Sequence, residues 1–210
     1  MYQLTNELVF PHPMLADEHG ILAYGGDLSA ERLMLAYTYG VFPWYNEGDP
    51  IMWWSPEQRF VLFPEDLRVS KSMKKVLRNK EFVITQNEDF SGVVRSCKEV
   101  QRPGQDGTWI TDEMEKAYTK LHAKGIAQSI EVWKEDKLVG GLYGVVVRDV
   151  FCGESMFAKV SNASKAGFIT LVQSKQFKLF DCQVHTDHLE RLGAKHIPRE
   201  DFLRFLGIVV

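Results

Sequence analysis

Two short runs place polar residues where the surrounding sequence is apolar. Phe180-Asp181-Cys182-Gln183-Val184 has strand composition, and alternation sends Asp181 and Gln183 to one face and Phe180, Cys182 and Val184 to the other. A buried carboxylate needs partners, and the amide two residues away is a candidate, although such a pair equally suits a satisfied structural network. In Phe151-Cys152-Gly153-Glu154-Ser155-Met156-Phe157 the same alternation groups Cys152, Glu154 and Met156 opposite Gly153 and Ser155. That grouping describes a mostly apolar pocket with one negative contact. His185, Asp187 and His188 have the residue types of a metal group, but no cysteine cluster accompanies them and the segment has helix-capping chemistry, so no metal is expected. Walker-loop, GxSxG, CxxC and HExxH signatures do not occur.

Two further groups have the chemistry of nucleic-acid contacts. Residues 70–80 carry Lys71, Lys74, Lys75, Arg78 and Lys80 with no acid among them. On a helix Lys71, Lys75 and Arg78 form one stripe, while Met73, Val76 and Leu77 lie toward the other side, so one face can pack and the other stay basic. A solvated helix face fits this segment equally well. Trp44, Trp53 and Trp54 fall close together and make an aromatic wall, by default core and alternatively a surface for base stacking.

The elements that must position these groups are partly legible. Ser29 caps a helix that runs to about Tyr39 and stops at Gly40, with Leu28 available to staple onto Leu33. Asn46 to Pro50 has turn chemistry around Gly48. Thr111 caps a second helix with Asp112 and Glu113 in its first turn, an apolar stripe of Met114, Ala117, Tyr118 and Leu121, and a stop at Gly125. Ala127–Lys134, Lys137–Val147 and Asp149–Met156 read as an antiparallel meander joined by short turns. Asn162–Gln176 is helix-like, Lys178–Val184 a strand, Thr186–Leu192 a short helix ended by Gly193, and Arg199–Leu206 another helix. This is a mixed α/β layer with the element order of acyl-CoA N-acetyltransferases. Those enzymes bind pyrophosphate on a Gly-rich turn before the helix that follows a central strand, whereas the turn here, Met156 to Ser164, contains no glycine. The order fits that fold and the turn does not fit a coenzyme A site.

With 210 residues, 45% of them hydrophobic and 25% charged, the chain can bury a large core and is neither disordered nor a disulfide-stapled mini-scaffold. Its three cysteines cannot all pair, which suits a reducing cytosol. Met1 to Val9 lacks the pattern of a signal peptide, and the apolar run Leu138 to Val147 is too short for a membrane helix, so neither export nor a membrane partner is expected. The formal net charge of −3 argues superficially against an RNA partner, but residues 70–80 alone hold +5 and leave −8 for the remainder. Opposed charges on separate regions suit two different partners.

Eight motifs occur in order: Gly25-Gly-Asp-Leu-Ser29, Phe42-Pro-Trp44, Trp53-Trp-Ser-Pro56, Gly107-Thr-Trp-Ile110, Ser129-Ile-Glu-Val-Trp133, Cys152-Gly-Glu-Ser-Met-Phe157, Asn162-Ala-Ser-Lys165 and Asp181-Cys-Gln183. Together they closely resemble the bacterial leucyl/phenylalanyl-tRNA-protein transferase family over nearly the whole length. The resemblance implies an α+β chain, with a small N-terminal domain over residues 1–58 and an acetyltransferase-like domain over 59–210. It implies transfer of Leu or Phe, or alternatively Met, from aminoacyl-tRNA to proteins beginning with Arg or Lys, marking them for degradation, without cofactor or metal; a monomer is expected. An aminoacyl ester is already activated, so positioning and proton handling suffice.

By the same resemblance, Asp181 polarises Gln183, whose amide oxygen accepts a hydrogen bond from the attacking α-amine. An α-amine near pKa 8 is partly neutral at physiological pH, so a strong base is not required. Leu142, Phe151, Met156 and Leu171 are expected to form the side-chain pocket, Trp44 and Trp109 to stack on the terminal adenosine, Tyr37 and Tyr118 to line the site, and Glu154 to contact a cationic substrate group. Lys71, Lys75 and Arg78 are expected to hold the tRNA acceptor stem. A coenzyme A-dependent N-acyltransferase and a non-catalytic RNA-binding module are the alternatives.

Overall fold

A computed structural model describes residues 1–100 and 110–210. The first strand, β1 (Tyr2–Leu4), pairs in parallel with β2 (Ile21–Gly25). Helix α1 (Ala30–Thr38) begins at Ser29, whose side chain accepts from the Arg32 amide, and ends at Gly40, which takes φ 69°. Strands β3 (Phe42–Pro43) and β4 (Met52–Trp54) follow, paired across the turn around Gly48. These strands form a small sheet in the order β1-β2-β4-β3. The tryptophans divide: Trp53 is core and donates to the Gly25 carbonyl at 2.9 Å, while Trp44 and Trp54 pack on each other nearer the surface.

After Trp54 the chain enters a second sheet. In sequence order come β5 (Gln58–Leu62), α2 (Lys71–Arg78), β6 (Val83–Gln86), α3 (Phe90–Glu99), α4 (Asp112–Ala123), β7 (Ala127–Lys134), β8 (Lys137–Val147), β9 (Val150–Ala158), α5 (Ala163–Gln173), β10 (Leu179–Gln183), α6 (Asp187–Arg191), β11 (Lys195–Pro198) and α7 (Arg199–Phe205). The sheet order is β11-β5-β10-β9-β8-β7-β6. Every described neighbour pair is antiparallel except β9 with β10, which α5 joins as a crossover. The expected meander, crossover helix and following strand are therefore found, with the first two strands at the expected boundaries and the rest displaced by one to three residues. Strands β5, β6 and β11 and helix α3 extend the expected layer on both sides.

The sheet has two covered faces. One packs with the small sheet and with α1, α3, α4 and α7 around Leu33, Trp53, Val94, Tyr118 and Phe202. The other packs with α2, α5 and α6 around Met73, Leu142, Phe168, Phe180 and Leu189. Side chains of this kind contribute about 1.5–3 kcal/mol each on full burial. Close approach of α5 requires Gly140 on β8, where an added Cβ would lie 2.6 Å from the Ala163 Cβ. No helix among the described residues is long and apolar enough to cross a membrane.

Candidate active site

The parallel ladder between β9 and β10 is short, running from Leu179 opposite Val150 to Asp181 opposite Cys152. Beyond it both strands carry an extra residue. In β9, Glu154 falls between the Tyr143–Ser155 and Gly144–Gly153 pairs; in β10, Cys182 falls between the Asp181–Val61 and Gln183–Phe60 pairs. Bulges of this kind end pairing and re-aim side chains. A cavity of about 450 Å³ lies between the two strand ends, lined by Gly153 to Met156 on one and Asp181 to Val184 on the other.

The bulge in β9 corrects the grouping expected from alternation. Cys152 belongs to the core on the small-sheet side, and Glu154 meets Tyr118 there, but Met156 pairs with Leu142 and packs on the α5 side. Acid and methionine thus occupy opposite faces. On the α5 side the cavity wall is apolar, built from Leu142, Phe151, Met156, Phe168, Phe180 and Leu189. Leu171, expected in this wall, is instead buried in the core and does not line the cavity; Phe168, one turn earlier on α5, takes that place.

The opposite wall is a hydrogen-bonded chain. Tyr37 and Tyr118 join through their hydroxyls at 2.5 Å, Tyr118 donates to Glu154 Oε2 at 2.8 Å, and Gln183 Nε2 donates to Glu154 Oε1 at 2.7 Å. The two tyrosines do not line the cavity as expected. They are core residues holding Glu154 from behind, with their hydroxyl pKa values pushed well above the usual range by burial and by the nearby carboxylate. Burial lifts the Glu154 carboxyl to about 7 against the opposing pull of its tyrosine and glutamine hydrogen bonds, with a further push from Asp181. Gln183 faces the cavity and its Oε1 has no partner among the described residues.

Asp181 is not joined to the Gln183 side chain. Both its oxygens pair with Arg59, Oδ1 with Nε at 2.7 Å and Oδ2 with Nη2 at 2.6 Å, and Oδ1 also accepts from the Gln183 backbone N–H at 2.9 Å. The Arg59 guanidinium lies between the rings of Phe42 and Phe202, 4.6 Å from each centroid. Gln183 holds φ 62°, a left-handed conformation that costs a non-glycine residue about 1–2 kcal/mol. Arg59 is not among the site residues that the sequence points to. Its signal was a lone cation two residues before Val61 on a strand whose alternate positions, Phe60 and Leu62, face the other core.

Trp44 stands at the cavity rim, 39% exposed, and Trp109 lies outside the described residues. Lys71, Lys75 and Arg78 are exposed on α2, and none is ion-paired among the described residues. Buried Met73 and Val76 turn α2 against α5, the helix whose Ser164 and Phe168 reach the cavity. Of the His185, Asp187 and His188 group, the first two converge with Glu190, their ligand atoms within 4.8 Å of one another on the exposed surface, whereas His188 stands apart against the cavity with its Nε2 buried.

The model described as leucyl/phenylalanyl-tRNA protein transferase matches residues 61–207, and that of the N-terminal domain of the same proteins matches residues 26–57. The chain belongs to the leucyl/phenylalanyl-tRNA protein transferase family. Relatives are similar from end to end. The transferase of Flavobacterium johnsoniae is 54% identical over 209 residues, covering 98% of this chain and 99% of its own. That of Christiangramia forsetii is 55% identical, covering 98% and 100%, and that of Pseudomonas fluorescens 51%, covering 96% and 91%. Within this transferase family chain, the two strands carrying the Cys-Gly-Glu-Ser-Met-Phe and Asp-Cys-Gln motifs are the two that part to open the cavity.

Proposed function

We propose that this protein transfers leucine or phenylalanine from aminoacyl-tRNA to the α-amine of proteins with N-terminal Arg or Lys, marking them for degradation in the cytosol. Family membership supports the reaction class, and one observation carries the mechanism: an apolar cavity faced by an amide that a buried acid holds in place. The aminoacyl side chain enters among Leu142, Phe151, Met156, Phe168 and Phe180. Such a wall suits Leu and Phe alike, since methylene-scale discrimination is worth only about 1–3 kcal/mol. Trp44 at the rim, together with Trp109, offers a stacking face for the terminal adenosine, and the α2 stripe takes the acceptor stem through phosphate contacts.

The ester then lies beside Gln183. Its Oε1 accepts a hydrogen bond from the incoming α-amine and orients the nitrogen lone pair toward the ester carbonyl. Glu154 fixes the amide through Nε2, and as a carboxylate poised near neutrality it also favours the positive charge that develops on the attacking nitrogen. The amine nitrogen bonds to the carbonyl carbon, the ester C–O bond breaks, and the tRNA ribose oxygen leaves with the proton that the nitrogen gives up. Asp181, already neutralised by Arg59, is not required as the base.

The test is transfer of labelled Leu or Phe from charged tRNA to a peptide beginning with Arg. Transfer is expected; none with intact protein and active tRNA would contradict the proposal. Tight acyl-CoA binding by calorimetry would favour the N-acyltransferase alternative, which the glycine-free turn before α5 opposes.

A further inference from the structure

We propose that Arg59 is a positioning residue for the transfer step: by gripping Asp181 it holds the Gln183 backbone in its left-handed conformation, and so aims the Gln183 amide at Glu154 and the cavity. This rests on the transferase reading above.

The chain of contacts is continuous. Arg59 takes both Asp181 oxygens, and Asp181 Oδ1 takes the Gln183 backbone N–H. That N–H belongs to the residue directly after the extra residue Cys182, where the pairing of β10 with β5 shifts register and φ reaches 62°. A glutamine does not keep such a backbone unaided, and the surrounding structure must over-determine it. Asp181 supplies the restraint, but a carboxylate 1% exposed needs its own charge compensation and fixed orientation. Arg59 gives both through a two-pronged pair whose plane is set by Phe42 and Phe202.

The geometry also separates two tasks that a single Asp–Gln relay would merge. Asp181 orients the backbone of Gln183, and Glu154 orients its side chain. Phe202 belongs to α7 and Phe42 to β3, so the last helix of the chain and the small sheet both reach the transfer site through one guanidinium.

The experiment compares wild type and Arg59→Lys for phenylalanine transfer from charged tRNA to an Arg-initiated peptide, with kcat and KM resolved and thermal melting recorded. Lysine keeps the charge and loses the two-pronged grip. The account expects kcat to fall about tenfold to a hundredfold with KM for charged tRNA within about twofold and a cooperative melt, since small misplacement at a reacting centre costs this much. A folded Arg59→Lys protein with unchanged kcat overturns the proposal, as does a loss confined to KM or one that only tracks the unfolded fraction. If Arg59→Lys fails to fold, hydrogen exchange of the Gln183 amide in wild type decides: protection equal to the β10 interior supports the grip, and loop-like exchange overturns it. Absence of transfer by wild type would instead remove the transferase reading.

Discussion

Glu131 on β7 and Glu154 on β9 are both buried glutamates in one sheet, separated by β8. Glu131 accepts from Ser129 Oγ at 2.5 Å, Thr85 Oγ1 at 2.7 Å and the Glu88 backbone N–H at 3.3 Å. Every donor around it belongs to β6, β7 or the segment that follows β6, and the carboxylate acts as a tie between strand and loop. Glu154 also has both oxygens engaged, by Tyr118 and Gln183, but one of those donors is itself a wall of the cavity. Burial of an acid therefore does not by itself mark chemistry. What separates the two sites is whether a partner of the acid also faces the space where a substrate can bind.

The largest expected effect breaks the Glu154 side of this comparison. Gln183→Ala should lower kcat for aminoacyl transfer about a hundredfold or more while the protein still melts cooperatively, as steady-state kinetics beside calorimetry would record. On the other side, Glu131→Ala leaves three donors without their acceptor and should cost about 1–3 kcal/mol in denaturant unfolding, with kcat per folded molecule unchanged. A loss of kcat matching that of Gln183→Ala would erase the distinction between the two networks.

A subtler contrast is proton linkage. The Glu154 carboxyl sits at about 7 in the folded protein against 4.5 for an ordinary glutamate, so between those values the folded state binds more protons than the unfolded state. Its contribution must then fall as pH rises through that window, by up to about 1.4 kcal/mol per pH unit, and level off above it. Glu154→Gln should remove this slope from the stability–pH curve. Smallest is the remote basic face: Lys71→Ala with Lys75→Ala should weaken full-length tRNA binding severalfold at low salt and reduce its log–log salt slope by about one to two. An unchanged slope would detach α2 from tRNA binding.

Much of the scaffold was legible because its signals are local. Ser29 and Thr111 cap the helices they were expected to cap, Gly40 and Gly125 end them at positive φ, and the turns at Glu135-Asp136 and Arg148 close the meander. The motif-bearing strands were also found, and the site they form gathers Glu154, Met156 and Gln183 about one cavity. What escaped depends on distant pairing. The 58–62 and 195–198 segments are short and become strands only against each other and β10. The bulge at Glu154 breaks the period-two rule on which the expected face of Met156 relied, and no local composition announces it. Arg59 and Asp181 lie 122 residues apart in sequence, so the ion pair that occupies Asp181 is a property of the folded sheet alone. Leu171 shows the same limit within one helix, where apolar character identifies a buried face without saying whether it fronts the core or the cavity.

The most direct test of the cavity-side network is kcat for phenylalanine transfer as a function of pH in wild type, Glu154→Gln and Glu131→Gln. The account predicts a wild-type rate that rises as Glu154 loses its proton near pH 7, the same limb in Glu131→Gln, and a Glu154→Gln enzyme slowed about tenfold or more that lacks the limb. A Glu154→Gln enzyme with the wild-type rate and the wild-type limb would contradict it.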